Sequence, residues 1–199
     1  MTKNLFTPII FVSLVLIANT SFAQSDNSSM DGGLLELAMQ ADVGTSGAEA
    51  FTLEDGVVTS ISNVESAFLV LPEPYDNFEL SIEYWAEPAT NSGVYIRCLD
   101  ADAISAGSCY EINIWDENEN PDNRTGAIIH FVPPLIAIDS LSQWTTMIIR
   151  AEGGHIVVTV NGQTTADLMD ETYVSGHIGL QYGGDNGAVK FRNLKISAL

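Results

Sequence analysis

Cations are the scarcest chemical resource in this chain. Its 199 residues hold 7 Lys and Arg against 26 Asp and Glu, a formal net charge of -19. Lys3 lies in the first 23 residues, which carry no acid, so the remainder has a formal charge of -20 and only Arg97, Arg124, Arg150, Lys190, Arg192 and Lys195 as cations. Binding to nucleic acid or to anionic lipid rests on Lys and Arg neutralising phosphates, so both are excluded as partners. Cysteine is nearly as scarce. Cys98 and Cys109 are too few for a zinc site, because no histidine stands at a suitable spacing. Long apolar runs are missing after residue 23, so no segment beyond that point is expected to span a membrane. Long helical periodicities are missing too, which turns attention to strands.

The N-terminus is the exception to the lack of apolar runs. MTKNLFTPIIFVSLVLIANTSFA has one cation, an apolar stretch from Leu5 to Ala18 and a small-residue ending, the pattern of a secretory signal peptide over 1–23. The mature protein is therefore expected to be secreted or periplasmic, acidic and free of the membrane. A polar leader, partly disordered, is expected over 24–48, and one domain over 49–199. Export permits a disulfide between the two cysteines. Strand parity places Cys98 inward and Cys109 outward, so a bridge requires Cys109 to lie outside the ladder; bridged and free thiols both stay open.

What remains is dominated by alternation. Phe78, Leu80, Ile82 and Tyr84 alternate with Glu79, Ser81, Glu83 and Trp85, and Ile156, Val158 and Val160 share one face before an Asn161-Gly162 hairpin turn. Further strands are expected near 56–61, 67–71, 93–98, 110–115, 126–131, 144–151, 177–182 and 188–196, the last with a bulge at Arg192-Asn193 where the apolar parity slips. One short helix is expected from Gly33 to Gln40. About ten short strands between turn signals imply an all-β sandwich of two antiparallel sheets, with a closed barrel as the alternative.

The chemistry-bearing residues gather on two of these strands. With Val94 and Ile96 facing the core beside Tyr110, Ile112 and Ile114, the other face collects Tyr95, Arg97, Glu111, Asn113 and Trp115. A register with Arg97 opposite Glu111 and Tyr95 opposite Asn113 makes a patch of a guanidinium fork, a carboxylate, an amide and two aromatics, the groups that grip a sugar. The plain alternative is a cross-strand ion pair contributing about 0.2–1 kcal/mol. His177 and Gln181 share a face by parity; His155 follows a Gly153-Gly154 turn, and His130 sits in an apolar run whose parity is unreadable. Asp116, Asn118, Asn120 and Asp122 are spaced like the start of a calcium loop, but Pro121 and Ala127 replace its glycine and glutamate, which favours a solvated acidic loop over calcium binding. No cofactor and no other metal is expected.

Eight stretches, LEDGVV, YDNFELSIEYW, NSGVYIR, YEINIWD, TGAI, VTVNG with the Trp144 strand before it, GHIGLQYGG and VKFRNLKI, resemble in order the 3-keto-disaccharide hydrolase domain family, from about residue 51 to the end. The resemblance implies a concanavalin-like jelly-roll and an exported hydrolase or lyase acting on small carbohydrates, glycosides already oxidised to a ketone at C3. A ketone there acidifies the C2 hydrogen, so a base removes it and the C1 substituent is eliminated before water adds. Glu111 is the expected base and Arg97 the expected donor to the enolate oxygen. Tyr95, Asn113, Trp115, Asp116, Gln181 and His177 are the expected substrate-binding residues. Asn113 stands where the family usually has Gln, Thr145 where it usually has Asn, and its Phe-Asn-Gly-Lys opening has no counterpart before residue 50. A carbohydrate-binding module without chemistry is the alternative function, and the oligomeric state is unknown.

Overall fold

The computed structural model describes residues 33–41, 47–61, 65–184 and 187–199. The signal peptide and the polar stretch from Gln24 to Asp31 lie outside the described residues. The helix expected at Gly33–Gln40 (α1) is present; it buries Leu35 and Ala38 in the core, so packed structure begins before residue 49.

Eleven strands follow among the described residues. In chain order these are β1 (Phe51–Glu54), β2 (Val57–Ser60), β3 (Ala67–Val70), β4 (Phe78–Ala86), β5 (Ser92–Cys98), β6 (Tyr110–Ile114), β7 (Thr145–Glu152), β8 (His155–Val160), β9 (Gln163–Met169), β10 (His177–Tyr182) and β11 (Val189–Ala198). They form a seven-stranded sheet, β1-β2-β11-β4-β7-β8-β9, and a four-stranded sheet, β3-β10-β5-β6, with every pairing antiparallel. The inward residues of both sheets meet in one core, in which Leu80, Ile82 and Ile149 of the larger sheet join Leu69, Val94, Ile112 and Leu180 of the smaller. This is the two-sheet sandwich that the alternation implies, and the jelly-roll that the family resemblance implies.

Local signals explain several joins. Asn161 and Gly162 take left-handed φ values of 48° and 77°, as a two-residue hairpin turn requires. The pairing of β11 with β4 shifts between Arg192 and Lys195, with Asn193 at φ 54°, so the bulge lies where the parity slips. The run 126–131 departs from expectation. It borders β6 through Ala127 O, Gly126 N and Ile129 N, then folds back in a tight turn from Ile128 to Val132. Its apolar residues seal an edge, and Pro133-Pro134 ends the segment before a strand can develop.

The register of β5 on β6 needs correcting. Tyr95 pairs with Glu111 and Gly93 with Asn113; Arg97 is not opposite Glu111. A two-residue slip keeps every side chain on its own face, so the apolar pattern cannot distinguish the two registers. A bulge supplies the rest. Between the pairs Gly179–Tyr95 and His177–Cys98, β5 has one more residue than β10, and Arg97 sits there at φ 54°. Beyond it the parity reverses, so Cys98 joins the face of Tyr95. Cys109 lies just outside β6, and the two cysteines are bridged.

Candidate active site

The smaller sheet has an outward face, away from the shared core, on which four strands set side chains in two rows. Phe68, Gln181, Gly93 and Asn113 lie in register in one row, and Gly179, Tyr95 and Glu111 in the next. Relative exposures of 3% for Tyr95, 8% for Glu111, 2% for Asn113 and 9% for Gln181 make this a sheltered polar cluster.

Its centre is a relay. Gln181 Nε2 donates to the Tyr95 hydroxyl at 3.1 Å, and Tyr95 lies directly across the ladder from Glu111, whose carboxyl its hydroxyl influences. Burial pushes the Glu111 carboxyl above the usual carboxylate range, against the lowering effects of the Tyr95 hydrogen bond and of nearby His130. The Tyr95 phenol is raised by its own burial first and by Glu111 second, so it stays a proton donor. Among the described residues Gln181 Oε1 is buried without a hydrogen-bond partner. A buried acceptor left empty is costly.

Two glycines shape the surroundings. A Cβ on Gly93 would stand 3.1 Å from Ile112 O and 3.6 Å from Gln181 Oε1, so its absence leaves a flat place beside the free acceptor. A Cβ on Gly179 would come within 2.8 Å of Ile104 Cδ1, so glycine lets the loop closed by Cys98 and Cys109 seat on the sheet. Ile104 packs there with Phe68 and Tyr95, whose rings meet edge to face at 5.0 Å. A cavity of about 480 Å³ lies along Phe68 and Ile104, with Glu49, Glu65 and Asp102 among its other walls. A smaller hollow of about 150 Å³ is lined by Asp122, Asn123, Ile128, His130, Phe131, Val132 and Pro133.

The remaining expected residues are placed elsewhere or differently employed. Arg97 is fully buried, with Nε and Nη2 donating to Asp76 O at 3.0 and 2.7 Å, and Nη1 donating to Gly153 O at 2.8 Å and Tyr173 O at 3.2 Å. The bulge turns its guanidinium away from Glu111 and commits it to the backbone, which corrects the expected donor role. Asn113 Nδ2 donates to Asn123 O, while its Oδ1 accepts from Ile114 N at 3.1 Å; the side chain ties the sheet to the neighbouring loop. Trp115 and Asp116 follow the end of β6. Trp115 is half-buried, and its backbone N donates to Thr125 Oγ1 at 2.8 Å. The Asp116 carboxylate accepts from Ser140 N at 2.6 Å, Ser140 Oγ at 2.9 Å and Thr125 Oγ1, which makes it a loop anchor. His177 pairs with Cys98 and has Nδ1 3.3 Å from Leu71 O; it is four residues along β10 from Gln181, about 13 Å at strand spacing.

In this neighbourhood Gly93 was missed as a site residue, and His130 was weighed and set aside. The NSG triplet signals a flat spot only in the correct register, and His130 is carried by a turn that its apolar run conceals. Within 116–124, Asn118 Oδ1 accepts from Asn120 N at 3.0 Å and Asn120 Oδ1 from Asp122 N at 3.2 Å, so these oxygens serve local turns.

A jelly-roll whose smaller sheet carries a sheltered, desolvated carboxylate beside a phenol and a half-satisfied amide has the architecture of a protein that handles small polyhydroxy ligands. The chain belongs to the 3-keto-alpha-glucoside-1,2-lyase-like domain family, whose sequence model matches residues 27–197. Among solved structures it is similar to a candidate glycosyl hydrolase from Parabacteroides distasonis ATCC 8503, at 28% identity and TM-score 0.67, over 76% of this chain and 91% of that one. A second candidate glycosyl hydrolase from the same organism matches at 17% identity and TM-score 0.65, over 75% and 84%. The carbohydrate-binding module CBM66 of Bacillus subtilis shares the fold at 14% identity and TM-score 0.56, over 74% and 91%. No curated protein matches the chain.

Proposed function

We propose that this protein is an exported enzyme that cleaves 3-keto-glycosides by base-assisted elimination, with water adding to the product afterwards. The family and its 28%-identical relative support a role in carbohydrate cleavage. The disulfide supports an oxidising compartment, as export requires. The observation that carries the chemistry is the Gln181–Tyr95–Glu111 relay. A carboxyl raised by burial is a stronger base than an ordinary one, and it stands beside a phenol that remains a donor.

Glu111 removes the hydrogen from C2, the electrons move toward the C3 oxygen, and the C1–O bond then breaks to leave a C1=C2 alkene conjugated with the ketone. The Tyr95 hydroxyl takes over the task expected of Arg97. Once Glu111 turns to C2, the phenol proton is free to meet the developing enolate oxygen, and Gln181 Nε2 supports the phenol oxygen from behind. Gln181 Oε1 accepts a hydroxyl of the sugar lying over Gly93.

The test is Glu111→Gln assayed on a 3-keto-α-glucoside. Loss of the general base is expected to cost about 10²–10⁴-fold in kcat, and an unimpaired variant would end the assignment. Wild-type protein that binds the keto-sugar without releasing product would instead establish a carbohydrate-binding module.

A further inference from the structure

The elimination leaves one proton unassigned. When the C1–O bond breaks, the departing oxygen leaves as an anion unless a donor meets it. Tyr95 is occupied at C3 and Arg97 is closed off by backbone carbonyls.

His130 stands where such a donor is needed. Ile129 N donates to Glu111 O at 3.0 Å, fixing the next residue beside the base, and the chain then reverses through Phe131 N and Val132 N, each 3.0 Å from Ile128 O. His130 occupies the tip at φ 70°, a left-handed conformation that a bulky residue adopts at an energetic cost. It is exposed and lines the 150 Å³ hollow with Asp122, Asn123 and Pro133. Asn123 O holds the side chain of Asn113, two residues along β6 from Glu111, so the hollow adjoins the strand that carries the base. His130 is also near enough for its charge to act on the Glu111 carboxyl. Asp122 is the other titratable group on the hollow, and Tyr95 the other one facing Glu111.

We propose that His130 is the general acid for the leaving group, a role that matters most where the departing oxygen belongs to a poor leaving group such as an alkyl alcohol. This rests on the elimination reading above. The protons balance. In elimination Glu111 gains the C2 proton and the imidazolium gives one to the leaving oxygen, releasing an alcohol. In hydration the neutral imidazole takes a proton from the water attacking C1 while Glu111 returns its proton to C2, and both groups are reset.

The experiment compares methyl and 4-nitrophenyl 3-keto-α-glucosides with wild-type protein, His130→Asn, which tolerates a left-handed backbone, and His130→Gln. An acid matters for methanol and little for nitrophenolate. Both variants are expected to lose about 10²–10⁴-fold in kcat/KM on the methyl glycoside and only a few-fold on the nitrophenyl one, whose turnover doubles as proof of folding. Equal losses on the two substrates, or none, would overturn the assignment. A wild-type protein inactive on both would overturn the elimination reading and the acid with it.

Discussion

Arg97 and Tyr95 stand two residues apart on β5, both almost sealed from solvent, yet their surroundings are of opposite kinds. Arg97 makes four hydrogen bonds to three carbonyls, from Asp76, Gly153 and Tyr173, all fixed backbone. Tyr95 lies between two titratable or adaptable side chains, and the amide behind it keeps an acceptor unpaired. The first arrangement has no capacity left for a ligand. It ties the segment before β4, the β7–β8 turn and the segment before β10 to one guanidinium, and its partners justify a left-handed Arg97. The second is incomplete by design of its sequence: burial holds the carboxyl in the wrong medium for its charge, a condition that persists where chemistry uses it. Buried polarity alone therefore does not mark the site; an unpaired acceptor beside a carboxyl raised by burial sets this cluster apart from Arg97.

The sharpest way to break this contrast is Arg97→Met. The carbonyl of buried Tyr173 is left unpaired, at about 1–3 kcal/mol, and those of exposed Asp76 and Gly153 lose a donor that water replaces in part, so the variant is expected to lose about 2–4 kcal/mol in chemical denaturation. Arg97→Lys should recover only part of that, since one ammonium cannot reproduce the planar fork. Turnover per folded molecule should be unchanged in both, and a selective collapse of kcat with intact stability would return Arg97 to the reaction.

Next in size is the opposite outcome at Glu111. Its carboxyl is raised by burial, so the native state binds that proton more tightly than the unfolded chain does. The folded state is thus penalised for the ionised form above the native pKa, and the penalty fades as pH falls through that value. Glu111→Gln should be more stable than wild type at neutral pH, with a Tm higher by about 2–4 °C for each kcal/mol relieved in a domain of this size. The two should converge in acid. A variant less stable at neutral pH would place Glu111 among the structural groups with Arg97.

How much of this could be read from the residues follows the same division. Periodicity carried the sandwich, the Asn161-Gly162 hairpin and the Arg192 bulge, because each is a local consequence of which side chains must be buried. Gln181 was assigned to the same site only through the family resemblance, whereas Glu111 and Tyr95 were identifiable as neighbours, since any even shift of register leaves them on one face. Their pairing was not. Parity is blind to a two-residue slip, and the extra residue at Arg97 exchanges the faces of everything after it, which also brings Cys98 within reach of Cys109. Asp116 and His177 had the right chemistry but lie past a strand end or several residues along the strand, where tertiary partners decide their use.

The smallest effect is expected where the contrast is most delicate, at Gln181. In Gln181→Met the side chain keeps its length and gives up both polar atoms. The hydrogen bond to Tyr95 at 3.1 Å is lost, costing about 1 kcal/mol. The empty Oε1, however, no longer has to be buried dry, which returns a similar amount. Stability should therefore move by less than about 1 kcal/mol, while KM for the keto-glycoside rises because the sugar loses its acceptor, and kcat falls less than in Glu111→Gln. If Gln181→Met unfolds as readily as Arg97→Met, the amide is architecture after all, and the unpaired acceptor is no mark of a ligand.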